Sequence, residues 1–125
     1  MSPFAVAREE WKVLQAARPN ALLIGSDAAV AAVLEHLMPS LLPPVACSTG
    51  TELVLPDLDA GTLVVKDVGL LTPGRQEKLV EWLGTGERNV QMIATSTFAL
   101  WPLVERSEFL DRLYYRLNVV TVCLE

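Results

Sequence analysis

The sequence predicts an α/β fold, a three-layer sandwich built on a mostly parallel five-stranded sheet. Three observations predict it. Short apolar runs alternate with amphipathic stretches along the chain, the pattern that places helices on both faces of a parallel sheet. The run Leu63 to Val65 is bounded by Gly61 and Gly69 and ends in Lys66-Asp67, so a strand buried on both faces stops abruptly in charge. A helix signal follows at once: Thr72 as N-cap, Pro73 at the first helical position, then Leu79, Val80 and Leu83 along one face. Charges at the carboxyl end of such a strand stand where open α/β sheets place their ligand crevice.

The elements follow in order. Phe4, Ala7, Trp11 and Leu14 recur at three- and four-residue intervals with charges between them, an amphipathic helix over residues 4 to about 17. Ser2-Pro3 starts it and Arg18-Pro19-Asn20 breaks it. Ala21 to Ile24 is a buried strand. Gly25-Ser26-Asp27 then turns into a helix over about 27 to 38, apolar at Val30, Val33, Leu34, Leu37 and Met38 and stopped by Pro39. Ser26 or Asp27 caps its free N–H groups.

Pro43-Pro44 leads into a short strand, Val45 to Cys47. Ser48 to Thr51 is a loop, and Glu52 to Ala60 is a connector with a short Leu53-Val54-Leu55 piece. Beyond the helix that starts at Pro73, Gly84-Thr-Gly86 provides the stop. Val90 to Thr95 is the next strand. Ser96-Thr97 opens a short helical turn holding Leu100, Trp101 and Leu103, with Pro102 tolerable only in its first turn. Ser107 is placed to cap a last helix whose apolar face is Phe109, Leu110, Leu113, Tyr114 and Leu117. Glu108 precedes Arg112 by four residues, the favourable order for an ion pair. Val119 to Leu124 is the closing strand.

Size and charge narrow the function. A chain of 125 residues, 51% hydrophobic and 20% charged, is expected to form one globular domain over 1–125. Its formal net charge is -5, and its ten basic residues are scattered, so no patch offers direct contact with nucleic acid. No apolar run approaches the roughly 20 residues that span a bilayer. The first residues lack a secretory pattern, so a cytoplasmic location is expected. Cys47 and Cys123 sit among apolar residues and read as buried free thiols. His36, the single histidine, reads as a surface or capped residue, and neither a catalytic triad nor a metal set is legible. The high apolar share leaves surface for a partner to cover.

Four stretches carry a resemblance. Gly61-Thr-Leu-Val-Val-Lys-Asp-Val-Gly69, Gln76-Glu-Lys-Leu79 with Gly86, Val90 to Thr97, and Asp111-Arg-Leu-Tyr-Tyr-Arg-Leu-Asn-Val119 resemble the central ATPase domain of sigma-54-dependent transcription activators. The match is good over residues 61 to 125 and looser over the first sixty. Leu-Tyr-Tyr-Arg-Leu-Asn-Val is its most specific part. The resemblance implies a P-loop NTPase core of the AAA+ kind. The sequence stops where the family's helical lid would begin.

The family's chemistry does not carry over. Its first strand leads to a glycine-rich loop ending Gly-Lys that holds phosphates. Here that loop is Gly25-Ser26-Asp27-Ala28-Ala29, with one glycine, no lysine and an added carboxylate that takes the anion's place at the helix N-terminus. The family's Asp-Glu pair, which holds Mg²⁺ and activates water, is matched by Lys66 and Asp67. A charged lysine has no lone pair for a metal and opposes it. Lys66 either pairs with Asp27 or Asp67 in place of metal and phosphate, or points to solvent. The family's sensor asparagine aligns with Thr97. Of its two arginines around the last helix one aligns with Leu110, and Arg116 remains. Tyr114 and Tyr115 persist and read as packing residues. The family's Gly-Ala-Phe-Thr-Gly-Ala hairpin, which touches sigma-54, has no room between Ser48 and Ala60, and a second family loop shrinks to Glu87-Arg88-Asn89.

These departures make the expected protein a degenerate, non-catalytic domain of this kind, without ATP, Mg²⁺ or another cofactor. It would serve bacterial transcription regulation as a protein-interaction module; self-association stays open. Gly25, Ser26, Asp27, Lys66, Asp67, Thr97 and Arg116 are its vestigial nucleotide-site positions. Two rival readings stand beside it. One is a residual ATP binder or weak ATPase. The other is a pseudo-receiver signalling domain with Asp67 as phosphoacceptor.

Overall fold

A computed structural model describes residues 18–84 and 89–124. The expected N-terminal helix, Gly86 and the Glu87-Arg88 portion of the shortened loop lie outside the described residues. The elements run β1 (Ala21–Ile24), α1 (Asp27–Leu37), a 3₁₀ turn (Met38–Ser40), β2 (Val45–Thr49), β3 (Ala60–Lys66), a second 3₁₀ turn (Val68–Leu70), α2 (Pro73–Leu83), β4 (Asn89–Ser96), α3 (Trp101–Glu105), α4 (Asp111–Leu117) and β5 (Val120–Cys123).

The five strands form one sheet in the order β2-β3-β4-β1-β5, and every pairing is parallel. This order separates the fold from a receiver, whose strands run 2-1-3-4-5. Here β1 lies between β4 and β5, so the pseudo-receiver reading falls. The connection leaving β1 travels to the far β2 edge, while the one leaving β4 crosses to β5. The crevice at the carboxyl ends of β1 and β4 is therefore the topological switch point.

Period-two alternation in the buried strands feeds two separate cores. Ala21, Leu23, Val64, Ile93 and Val122 pack under α1 through Val30, Val33, Leu34 and Leu37. Leu22, Leu63, Val65, Met92 and Ala94 face the other way, against Leu79 and Leu83 of α2, Phe109, and Leu113 and Leu117 of α4. The layers are thus α1, the sheet, and α2 to α4.

Local signals set most boundaries. Ser26 caps α1, its hydroxyl accepting the Ala29 N–H at 3.1 Å. Thr72 caps α2 in the same way through Arg75, and Pro73 fills the first helical position. Gly84 closes α2 at φ 61°, a conformation cheap only for glycine.

Four expectations are corrected. Asp27 is the first residue of α1 and not its cap, since Ser26 holds that role. Ser107 does not cap α4: it sits in a tight turn at φ 59°, and Leu110 occupies the N-cap position without a side-chain bond of its own. Glu108 bonds Arg106, and Arg112 reaches across to Glu77 on α2, because the helix starts too late to bring Glu108 and Arg112 onto one face. Cys47 and Cys123 are exposed, because β2 and β5 are the two outer strands of the sheet.

Leu53-Val54-Leu55 forms no strand; Val54 is exposed, and the connector is tied down by Ser48, whose hydroxyl donates to Glu52 O and accepts from Val54 N. No helix lies between β2 and β3.

Candidate functional site

The site grows out of where three strands stop. β3 ends at Lys66, and the chain turns at Asp67 in the left-handed region, φ 53° and ψ 51°. Two groups hold that corner. The Asp67 N–H donates to Thr95 Oγ1 at 3.2 Å, and the Gly50 N–H donates to Lys66 O at 2.8 Å. A methyl group on Gly50 would come within 1.9 Å of the Asp67 carbonyl oxygen, so only glycine lets the β2 loop approach so closely. Beside it, Gly25 closes the end of β1, its N–H donating to Ser96 O at 3.0 Å. A Cβ there would stand 2.7 Å from the Leu124 Cβ. This glycine is thus required by the neighbouring strand, without reference to any phosphate.

Between α1 and these strand ends lies a cleft of about 230 Å³. Asp27, Lys66, Asp67 and Thr95 supply its polar lining, and Val30, Ala31 and Leu34 its apolar wall. The sheet register explains the grouping. Leu23 of β1 pairs with Thr95 of β4, and Val65 of β3 pairs with Ala94, which brings Lys66 beside Thr95. Both side chains fall on the α1 phase of their strands.

Of the positions expected from sequence, the structure gathers Asp27, Lys66 and Asp67 in this cleft and puts Gly25 and Ser26 in the turn leading to it. Among the described residues no salt bridge joins Lys66 to Asp27 or Asp67, and Lys66 is exposed, so the solvent-facing alternative holds. Two positions belong elsewhere. Thr97 is exposed in the bend after β4, because the strand ends at Ser96, and it does not line the cleft. Arg116 lies on the α2–α4 side of the sheet, where its guanidinium donates to Gly84 O at 2.6 Å and Leu83 O at 3.3 Å. It satisfies the carbonyls left open at the end of α2.

Two residues escaped the sequence reading. Thr95, 2% exposed, is the hydroxyl that the cleft presents; its period-two spacing from Ile93 was the available signal. Gln76, 1% exposed, organises the opposite layer through bonds to Leu71, Glu108 and Leu110. Tyr114 packs against the α2–α4 core as expected, whereas Tyr115 departs from a packing role. Tyr114 is half-buried, but Tyr115 is 63% exposed, because helix spacing turns it away from Leu113 and Leu117. With Trp101 they form an aromatic run, ring centroids 5.5 and 5.6 Å apart.

Comparison with known proteins agrees with this geometry. A family model described as the sigma-54 interaction domain matches residues 28–124. The HTH-type transcriptional regulatory protein TyrR of Enterobacter agglomerans is 35% identical over 77 residues, covering 53% of this chain and 15% of that protein. The chain therefore spans a small fraction of that relative's length. Among solved structures, NtrX from Brucella abortus in complex with ATP superposes with a TM-score of 0.75 at 14% identity, over 99% of this chain and 37% of the other. The P-loop NTPase domain of a sigma-54 transport activator from E. coli gives a TM-score of 0.61 at 20% identity, covering 92% and 94%. The fold is that of the P-loop NTPase, AAA+ core.

Proposed function

Because this chain belongs to the sigma-54 interaction domain family, we propose that it serves bacterial transcription regulation as a non-catalytic member, working through contact with another regulatory protein. The observation that carries this reading is the charge layout of the cleft. Asp27 stands at the start of α1, where a polyphosphate would need an ammonium, and Lys66 ends β3, where a magnesium ion would need a carboxylate. Both charges oppose their would-be ligands at short range. Asp67, the carboxylate left in that corner, lies one residue beyond the strand on a left-handed backbone.

The residues present do not fit ATP with Mg²⁺. Among the described residues no group of three or more His, Cys, Asp or Glu side chains is arranged to hold a metal ion. Protein contact is supported by the exposed apolar residues Leu70, Phe98, Trp101 and Tyr115 on an acidic domain. No described helix is long and apolar enough to cross a membrane.

Isothermal titration of the full chain with ATP and Mg²⁺ tests the reading. No saturable heat is expected; saturable binding in the micromolar range would overturn it. The contact half is tested with a Trp101→Ala, Tyr115→Ser double variant, which is expected to lose the partners that the parent chain retains on an affinity column.

A further inference from the structure

The cleft that has lost its nucleotide chemistry is still a built concavity, and its groups are arranged for something smaller. Thr95 is 2% exposed and its Oγ1 accepts the Asp67 N–H. Its own hydroxyl proton has no acceptor among the described residues, which leaves a buried donor facing the cleft. Lys66 adds an ammonium beside it on the neighbouring strand. Asp27 and Asp67 line the same space, and neither forms a salt bridge with Lys66. Opposite charges are thus kept apart around one cavity, on a corner made rigid by the Gly50–Lys66 and Asp67–Thr95 hydrogen bonds. The remaining wall is aliphatic, from Val30 and Leu34 of α1.

A simple anion entering here meets two carboxylates, and a simple cation meets a lysine. A molecule with both charges and a short apolar body satisfies every wall at once. The volume of about 230 Å³ corresponds to roughly eight waters at ~30 Å³ each, the scale of a small amino acid. We propose that the cleft binds a small aliphatic α-amino acid as its zwitterion. Its carboxylate is held by the Lys66 ammonium and the Thr95 hydroxyl, its ammonium by Asp27 and Asp67, and its side chain by Val30 and Leu34. The inference rests on the reading that this site no longer takes ATP.

Isothermal titration of the full chain with L-valine at neutral pH tests it. Saturable binding is expected. Isovalerate, which lacks the ammonium, and isobutylamine, which lacks the carboxylate, are expected to give none. Lys66→Gln and Asp27→Asn change exposed side chains, so both variants should keep the parent circular dichroism spectrum, and each should weaken valine binding by about tenfold or more. No saturable heat from valine, or valine binding unchanged in both variants, would overturn the inference. If valine and ATP both fail, the amino-acid site falls and the silent nucleotide cleft stands. If ATP with Mg²⁺ saturates, both fall.

Discussion

The side-chain oxygen of Gln76 on α2 accepts the backbone N–H of Leu110 at 2.8 Å, and this bond sets where α4 begins. The same amide donates to Leu71 O and to Glu108 O, each at 3.0 Å. One buried side chain therefore replaces the missing cap of α4 and ties the loop before it to the start of α2. Replacing Gln76 by Leu leaves the Leu110 N–H and two carbonyls without that partner. The expected cost is about 2–4 kcal/mol, read as a lower urea midpoint with an unchanged slope. A loss under about 0.5 kcal/mol would mean that water takes over the amide's role.

Gly50 fixes the corner of the cleft. Alanine there places its methyl against the Asp67 carbonyl, a backbone atom that cannot swing aside. Gly50→Ala is expected to destabilise by roughly 2 kcal/mol or more, and to shift the amide resonances of Lys66 and Asp67 in NMR spectra. Gly74, whose added Cβ meets nothing within 4 Å, is the matched control; Gly74→Ala should cost little or stabilise slightly.

Arg116, near the end of α4, serves the fold. Arg116→Ala removes two hydrogen bonds to the end of α2 and is expected to cost about 1 kcal/mol, since the pair is partly solvated. Lysine reaches a single carbonyl less well than a planar fork and should recover only part of the loss. An Arg116→Ala variant as stable as the parent would show that these two bonds contribute nothing to stability.

The thiols provide a direct test of the sheet's edges. Cys47 and Cys123 are exposed on β2 and β5. A thiol reagent should therefore label both in the native protein, at rates close to those in urea. Labelling only after unfolding would show that something covers these strands in solution.

Much of this protein was legible in its residues because the signals are local. Apolar runs, Ser26, Thr72-Pro73 and Gly84 mark where strands and helices start and stop through bonds made within a few positions. The charges at Asp27 and Lys66 could be read without coordinates, since each stands just past an apolar run that the sequence itself displays. Tertiary structure decided what depends on neighbours distant in the chain. Strand order made Cys47 and Cys123 outer residues, although their apolar surroundings in sequence suggest burial. Sheet register chose Thr95 over Thr97 for the cleft, because β4 stops one residue too soon for Thr97. A side chain 34 positions away overruled Ser107 as the origin of α4. Capping and periodicity are settled within a turn or a few residues, whereas exposure and hydrogen-bond partners are settled only when the layers close.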